Sequence, residues 1–191
     1  MLAKELILAS SSDIRRKILE DNGISYIAKN HNFDEKILKS DKTLSPDNLS
    51  LQLARGKAMS LKDEFINHVI LGCDQVCLLK DKIFSKPLTA NKAVNNLSIL
   101  SGQTHQLIGS YVFIKNGDVL YEETITTNMT MRSLTKTEIV DYVELDQPFK
   151  SCGSYMFEKN GYKLFSEVEG SLEMINGLPI NYLLENLEKH V

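Results

Sequence analysis

The stretch Val69-Ile-Leu-Gly-Cys-Asp-Gln-Val-Cys-Leu-Leu79 decides the fold, because it reads as a buried strand interrupted by one carboxylate, that of Asp74. Apolar residues lead in, Gly72 allows another element to approach closely, and the apolar run resumes after Asp74. A carboxylate inside a strand is costly to bury unless a cation or a proton compensates it. The stretch therefore predicts a core strand whose acid has a function beyond packing.

The segments on either side of this strand alternate between helical and extended patterns. Ser45-Pro46 opens a helix with an apolar stripe, and Asn116-Gly117 predicts a hairpin turn. Asp13 is the expected cap of the first helix. The predicted strands are Leu6–Ala9, 24–28, 69–79, 106–114, 119–131, 153–158 and 164–168, and the predicted helices are 14–22, from 45, 89–100, 136–144 and 180–187. Because hairpins collect in the second half, the order favours an α/β or α+β fold with a mixed sheet.

Composition places the chain among ordinary globular proteins. It has 191 residues, 42% hydrophobic and 25% charged, with a formal net charge of −3. Residues 1–191 are therefore expected to form a single domain, or two closely packed lobes. The negative charge argues against nucleic acid as a partner, and no apolar run is long enough for a membrane. We expect a cytoplasmic protein, whose three cysteines lack the spacing of a zinc site.

Two segments could bind phosphate. Ser10-Ser-Ser-Asp-Ile-Arg15-Arg16 follows a buried strand and begins a helix, so hydroxyls, backbone N–H groups and a guanidinium converge there. A serine-rich turn that only caps the helix explains the same residues equally well, and one arginine of the pair is expected to face a cleft. Lys86 precedes Pro87, which stiffens its loop. The sequence leaves open whether Ser10 and its neighbours bind a ligand.

Glu35 and Asp74 could together hold a divalent metal ion. Mg²⁺ prefers few carboxylates, with water and substrate phosphates completing its shell. Paired acids in a loop, such as Asp34-Glu35, are usually just solvated, and Lys57 at a helix edge is by default a surface lysine. Taken together, these acids and the lysine indicate phosphate chemistry with a metal, which none of them indicates alone.

The chain resembles the Maf family of nucleotide pyrophosphatases along nearly its whole length. Nine stretches in order carry the resemblance: Leu6–Ser12 with Arg15, Asp34-Glu35, Leu53–Ala58, Gly72–Val76, Ser85–Pro87, Ser101–His105, Cys152–Tyr155, Val168–Ser171 and Gly177–Pro179. The family implies a mixed, strongly twisted sheet flanked by helices, with two lobes around a cleft, as in the related ITPase-like fold. It also implies hydrolysis of a nucleoside triphosphate to the monophosphate and pyrophosphate with Mg²⁺ or Mn²⁺.

The resemblance also implies roles for individual residues. Asp74 matches the proton acceptor of the family, and it shares the metal-binding position with Glu35. The substrate phosphates are expected to contact a set of polar and basic residues. These are Ser10, Arg15, Lys57 and Lys86.

Three positions separate the branches of the family, and here they are Ile14, Gln75 and Glu158. The branch that hydrolyses 7-methyl-GTP typically has Trp, Gln and Glu at these positions, and the UTP/dTTP branch has Arg, Thr and Gln. The chain is thus most similar to the 7-methyl-GTP branch, although Ile14 offers no aromatic face for a methylated purine. A UTP/dTTP pyrophosphatase and a nonenzymatic nucleotide-binding regulator of septum formation are the alternatives, and a homodimer is left open.

Overall fold

The computed structural model describes residues 6–190, which form seven strands and seven α-helices. In chain order these are β1 Leu6–Ala9, α1 Asp13–Asp21, β2 Tyr26–Ala28, α2 Lys36–Ser40, α3 Pro46–Met59, β3 Ile70–Leu79, β4 Lys82–Phe84, α4 Ala90–Leu100, β5 Thr104–Lys115, β6 Asp118–Met131, α5 Lys136–Asp146, β7 Phe165–Val168, α6 Leu172–Ile175 and α7 Ile180–His190. Two short 3₁₀ helices lie at Cys152–Ser154 and Gly161–Leu164. No helix within residues 6–190 has the length and apolar character needed to cross a membrane.

The seven strands form one mixed sheet in the order β2-β1-β3-β5-β6-β7, with β4 paired to β3. β1 is parallel to both β2 and β3, whereas β4 and β7 run antiparallel to their partners. Asn116 and Gly117 both have positive φ in the turn between β5 and β6, as a two-residue hairpin requires. The predicted α/β fold with a mixed sheet is confirmed.

The chain divides into two compact units. The first comprises the residues up to Asp74, Gly109–Ile125 and the residues from Leu172 onward, and the second comprises Gln75–Ile108 and Thr126–Ser171. The expectation of a single domain stays a prediction.

In the first unit the sheet is covered on both faces. Side chains alternate along β1, so that Leu6 and Leu8 join one core cluster, which includes Leu19 of α1 and Leu183 of α7. Ile7 and Ala9 point the other way, into a second cluster with α3. Because both faces are buried, β1 reads as a continuous apolar run rather than an alternating one.

Gly72 lets helix α3 pack directly on β3. A Cβ atom at this position would lie 2.1 Å from the carbonyl oxygen of Ala54 and 2.9 Å from Cβ of Ala58. Both of these alanines are fully buried on the apolar stripe of α3. The close approach predicted for Gly72 is confirmed, and it sets where the side chains of α3 reach β3.

In the second unit two of the sequence motifs meet through a buried hydrogen bond. Nε2 of His105, at the end of Ser101–His105, lies 2.8 Å from the hydroxyl of Tyr155, at the end of Cys152–Tyr155. Asn96 of α4 donates to the Ser154 hydroxyl at 2.9 Å, and Ser154 has a φ of 65°. Buried polar groups of this kind fix a unique arrangement because leaving one unpaired is costly.

Two local predictions are wrong. The first helix starts at Asp13, one position earlier than predicted, because Ser12 and not Asp13 has the extended backbone of an N-cap residue, although the Ser12 side chain makes no capping hydrogen bond. Residues 153–158 form no hairpin arm: Gly153 and Ser154 have positive φ, which turns the chain into a 3₁₀ helix and then a turn. The short elements α2, β4 and α6 were not predicted, and β2 begins only at Tyr26.

We expect Gly72→Ala to lower the free energy of unfolding by about 1–3 kcal/mol, because a backbone carbonyl cannot move aside for the new methyl group. Urea unfolding followed by circular dichroism measures the change. Val119→Ala, at an exposed position of β6, is the control and should stay within about 0.5 kcal/mol of the parent. Equal unfolding midpoints for Gly72→Ala and the parent would show that α3 does not pack closely on β3.

Candidate active site

Asp74 is paired with a buried lysine. Nζ of Lys57 donates a hydrogen bond to Oδ1 of Asp74 at 2.5 Å, and only 10% and 13% of the two side chains are exposed. Lys57 lies on α3 beside Ala58, so the packing on Gly72 brings its ammonium group to β3. The cation that the sequence required for Asp74 is therefore Lys57, which is a buried residue and not a surface one.

Glu35 reaches the same ammonium group from another element. Its Oε1 lies 3.0 Å from Nζ of Lys57, and its Oε2 is paired with Lys39, one helical turn further along α2. One lysine thus bridges two carboxylates that are 39 positions apart in the sequence. Lys57 is buried between the two acids and Lys39 adds a second positive charge from the exposed side of Glu35, so the charges of the four groups balance and the burial of Asp74 and Lys57 is tolerable.

Phe33 fixes the loop that carries Glu35. Its ring lies against Gly56 of α3, where a Cβ atom would be 2.5 Å from two ring carbons. Gly56 directly precedes Lys57, and Phe33 is two residues before Glu35. This contact holds Glu35 opposite Lys57, a role that the sequence analysis missed because it treated the loop only as acidic.

His31 is a further group beside Glu35 that the sequence analysis missed. Its Nε2 lies 3.5 Å from Oε1 of Glu35. Burial lowers the pKa of His31, and nearby Lys57 lowers it further, against the opposing carboxylate of Glu35. Four scattered histidines give no sequence signal for this placement.

Ser10 and Arg15 form a second polar cluster, at the end of β1. Nε of Arg15 donates to the carbonyl of Gly177 at 2.9 Å, and its Nη1 donates to the carbonyl of Cys73 at 3.1 Å. The same Nη1 lies 3.4 Å from the hydroxyl of Ser10, which also accepts from the backbone N–H of Ser12. Arg15 is thus buried and ties together the residue before Asp74 and the Gly177 turn.

Arg16 is the more exposed member of the arginine pair. Its Nη1 lies 3.7 Å from Asp13, and 37% of its side chain is exposed. Ile14, on the other side of Arg15, packs in part against the apolar core of the first unit.

The other predicted residues belong to the second unit. Gln75 follows Asp74 on β3 and is half-buried. Lys86 is exposed in the loop before α4, beside the buried Pro87, and Leu88 anchors this loop by donating its N–H to the carbonyl of Phe149 at 3.0 Å. Glu158 is exposed on the turn that follows Tyr155.

Comparison with known proteins identifies the family. Residues 5–190 match the family model described as Maf-like protein. This chain belongs to the Maf family. The resemblance carried by the nine sequence stretches is confirmed.

Relatives in the Maf family cover nearly the full chain. A protein of Legionella pneumophila named nucleoside triphosphate pyrophosphatase is 35% identical over 96% of this chain and 92% of its own. One of the same name from Pelagibacter ubique is 34% identical over 98% of both. A Bartonella henselae protein named 7-methyl-GTP pyrophosphatase is 36% identical over 98% of this chain and 96% of its own.

A solved structure gives a weaker likeness. The Staphylococcus aureus Ham1 protein matches 98% of this chain and 100% of its own with a TM-score of 0.45 and 13% identity. This likeness is too distant to support an argument about fold or function.

The Maf resemblance implies a divalent metal, and the acid pair fits one. Among residues 6–190 no group of three or more His, Cys, Asp and Glu side chains could hold a metal ion. Glu35 and Asp74 nevertheless converge on one cation, the ammonium of Lys57. Two carboxylates suit Mg²⁺, which keeps several waters and takes further ligands from phosphates.

The cations around Glu35 determine its pKa. Burial alone would raise the pKa, but the hydrogen bond from Lys39 and the charge and hydrogen bond of Lys57 outweigh it and lower the pKa to about 2. Because the ordinary value of 4.5 applies in the unfolded chain, Glu35 stabilises the fold above pH 4.5. That contribution is lost as the pH falls from there through about 2.

We expect Lys39→Met to raise the pKa of Glu35 from about 2 towards 4.5, because only Lys57 then remains to offset the effect of burial, which raises this pKa. Titration of the carboxyl ¹³C signals in metal-free protein measures it. Lys36→Met removes an exposed charge from the same helix and should leave the pKa near 2. If Lys39→Met also leaves it there, Lys39 does not hold Glu35 in its ionised form.

Proposed function

We propose that this chain is a nucleoside triphosphate pyrophosphatase, which hydrolyses its substrate to the nucleoside monophosphate and pyrophosphate. The observation that carries the proposal is the pairing of Asp74 and Glu35 on one buried ammonium group, that of Lys57. The names of the Legionella, Pelagibacter and Bartonella relatives support the same enzyme class. A structural role alone would not need two acids beside a buried lysine, because apolar residues would fill the space at lower cost.

Asp74 is the proton acceptor in this proposal. Its Oδ1 accepts from Lys57, so its other oxygen can accept a proton from water. The water oxygen forms a bond to the α-phosphorus as its proton passes to Asp74, and the bond from the α-phosphorus to the α–β bridging oxygen breaks. Pyrophosphate leaves with the electron pair of that bond.

Basic residues offset the charge of the triphosphate and of the leaving pyrophosphate. Lys57 stands beside Asp74, and we assign Lys86, Arg15 and Ser10 to the phosphates as the family pattern implies. Arg15 also serves the scaffold, since two of its nitrogens already donate to backbone carbonyls. Preorganised cations of this kind stabilise a transition state without further reorganisation.

Glu35 and Asp74 would hold the divalent ion, Mg²⁺ or Mn²⁺. When bound, the ion neutralises phosphate charge and favours attack at phosphorus. Lys57 contributes by keeping the two acids within reach of a shared cation, and Lys39 keeps Glu35 ionised.

The preferred base is proposed to be a purine, with 7-methyl-GTP as the favoured substrate. Gln75 and Glu158 match the branch that hydrolyses it, and the Bartonella relative carries that name. A carboxylate accepts hydrogen bonds, which suits the amino and ring N–H groups of guanine better than a pyrimidine carbonyl. Ile14 packs partly into the core and offers no stacking face, so the methyl group should be discriminated only weakly.

We expect Asp74→Asn to lower the turnover of triphosphates by about 10²–10⁴-fold, because the amide cannot take the proton. Pyrophosphate release with Mg²⁺ measures turnover, and circular dichroism checks the fold. Asp81→Asn, at the exposed turn that ends β3, is the matched control and should keep parental turnover. A nonenzymatic nucleotide-binding regulator would instead release no pyrophosphate with either chain.

We expect Glu158→Gln to shift preference from 7-methyl-GTP and GTP towards UTP and dTTP, because an amide both donates to and accepts from a pyrimidine imide. Ratios of kcat/KM for the four nucleotides measure the shift. Glu167→Gln, on the exposed strand β7, should leave the ratios unchanged. A parent that prefers UTP or dTTP over both purines would contradict the branch assignment but not the reaction.

A further inference from the structure

Glu158 lies on an irregular segment, although base recognition requires a fixed side chain. It belongs to the turn at residues 157–160, and its side chain is exposed. Partial desolvation raises the pKa of Glu158, its own backbone N–H and Lys159 lower it, and Asp146 raises it again. The negative charge of Asp146, at the end of α5, therefore acts on the carboxylate of Glu158.

Two buried side chains of α5 hold the ends of this turn. The hydroxyl of Tyr142 accepts from the backbone N–H of Met156 at 2.8 Å, just before the turn. The carboxylate of Asp146 accepts from the backbone N–H of Asn160 at 3.0 Å and from its Nδ2 at 2.7 Å, at the end of the turn. Glu158 is midway between the two attachment points.

Tyr142 and Asp146 act as one unit. They are four residues apart, on one face of α5, and each is about 6% exposed. Burial raises the pKa of Tyr142 most, the hydrogen bond from the backbone of Met156 lowers it, and the nearby carboxylate of Asp146 raises it again. Three hydrogen bonds thus attach Tyr142 and Asp146 to Met156 and Asn160, and we call this set of four residues the turn clamp.

The turn clamp is not needed to pack α5. The apolar residues Ile139 and Val143 of α5 are buried and supply its core face. A buried carboxylate is a costly way to fill space unless its hydrogen bonds fix something specific. What Asp146 fixes is the segment that carries Glu158.

We propose that Tyr142 and Asp146 are positioning residues for base recognition, which act by holding Glu158 in place. This inference rests on the proposed function and deepens it. Neither residue is assigned a contact with substrate. A recognition group must be held within a fraction of an ångström, so loosening the turn should blunt discrimination between bases more than it slows hydrolysis.

The turn should loosen without being lost when the clamp is removed. The backbone N–H of Gly161 donates to the carbonyl of Met156 at 3.0 Å, which closes the segment independently of α5. A Cβ atom at Gly161 would lie 2.4 Å from the same oxygen. Variants of the clamp are therefore suited to a measurement of specificity.

The test is a double-mutant cycle between Glu158 and the clamp. Glu158→Gln is made in the parent, in Asp146→Ala and in Tyr142→Phe, and kcat/KM is measured for 7-methyl-GTP, GTP, UTP and dTTP. In the parent we expect Glu158→Gln to change the purine-to-pyrimidine ratio about tenfold or more. In Asp146→Ala the same change should alter the ratio less than about threefold, with Tyr142→Phe between the two.

Glu144→Ala is the matched control, because it removes an exposed acid from the same helix. There Glu158→Gln should act as strongly as in the parent. The proposal is overturned if Glu158→Gln has its full effect in both clamp variants, or no effect in the parent. If Asp146→Ala does not fold, the cycle is made with Tyr142→Phe and Asn160→Ala. The proposal is then overturned if Glu158→Gln has its full effect on the purine-to-pyrimidine ratio in both of these variants.

Failure of the proposed function looks different. A parent that releases no pyrophosphate from any of the four nucleotides contradicts the enzyme assignment. The cycle is then repeated with dissociation constants for the same nucleotides. Equal effects of Glu158→Gln in the parent and in the clamp variants would again overturn the positioning role.

Discussion

The hydrogen-bonded ion pair between Lys57 and Asp74 is the interaction on which the candidate site depends. A carboxylate on the core strand β3 is tolerable only because an ammonium group lies 2.5 Å away. That ammonium is in place because α3 packs without a gap on Gly72, and Glu35 reaches it because Phe33 lies on Gly56. Two glycines, each where a methyl group would collide, thus determine the spacing of two acids.

The acid pair and the turn that carries Glu158 are held in place in similar ways. Asp74 lies on a strand, whereas Glu35 and Glu158 lie on irregular segments that are fixed by contacts with a helix. For Glu35 these contacts are Phe33 on Gly56 and the ion pairs with Lys39 and Lys57. For Glu158 they are the hydrogen bonds of Tyr142 and Asp146. Gly56 and Lys57 belong to the Leu53–Ala58 stretch that marks the family, whereas Phe33, Lys39, Tyr142 and Asp146 lie outside the family motifs.

The sequence predicted the strand of Asp74, the helix opened by Ser45-Pro46, the hairpin at Asn116-Gly117 and the close approach at Gly72, because each depends on local chemistry. It could not show that Lys57 is buried, since a lysine at the edge of an apolar stripe is usually a surface residue. The strand expected at 153–158 does not form because Ser154 adopts a positive φ, a conformation that a serine in the sequence does not predict. Phe33, His31, Tyr142 and Asp146 were missed because their roles rest on contacts between distant segments.

The measurement that tests the account most directly is hydrolysis of a nucleoside triphosphate in H₂¹⁸O with Mg²⁺, with the products resolved by mass spectrometry. If a water beside Asp74 attacks the α-phosphorus, one ¹⁸O atom enters the nucleoside monophosphate and the pyrophosphate carries none. Label in the pyrophosphate, or release of labelled inorganic phosphate with a nucleoside diphosphate, would contradict the account.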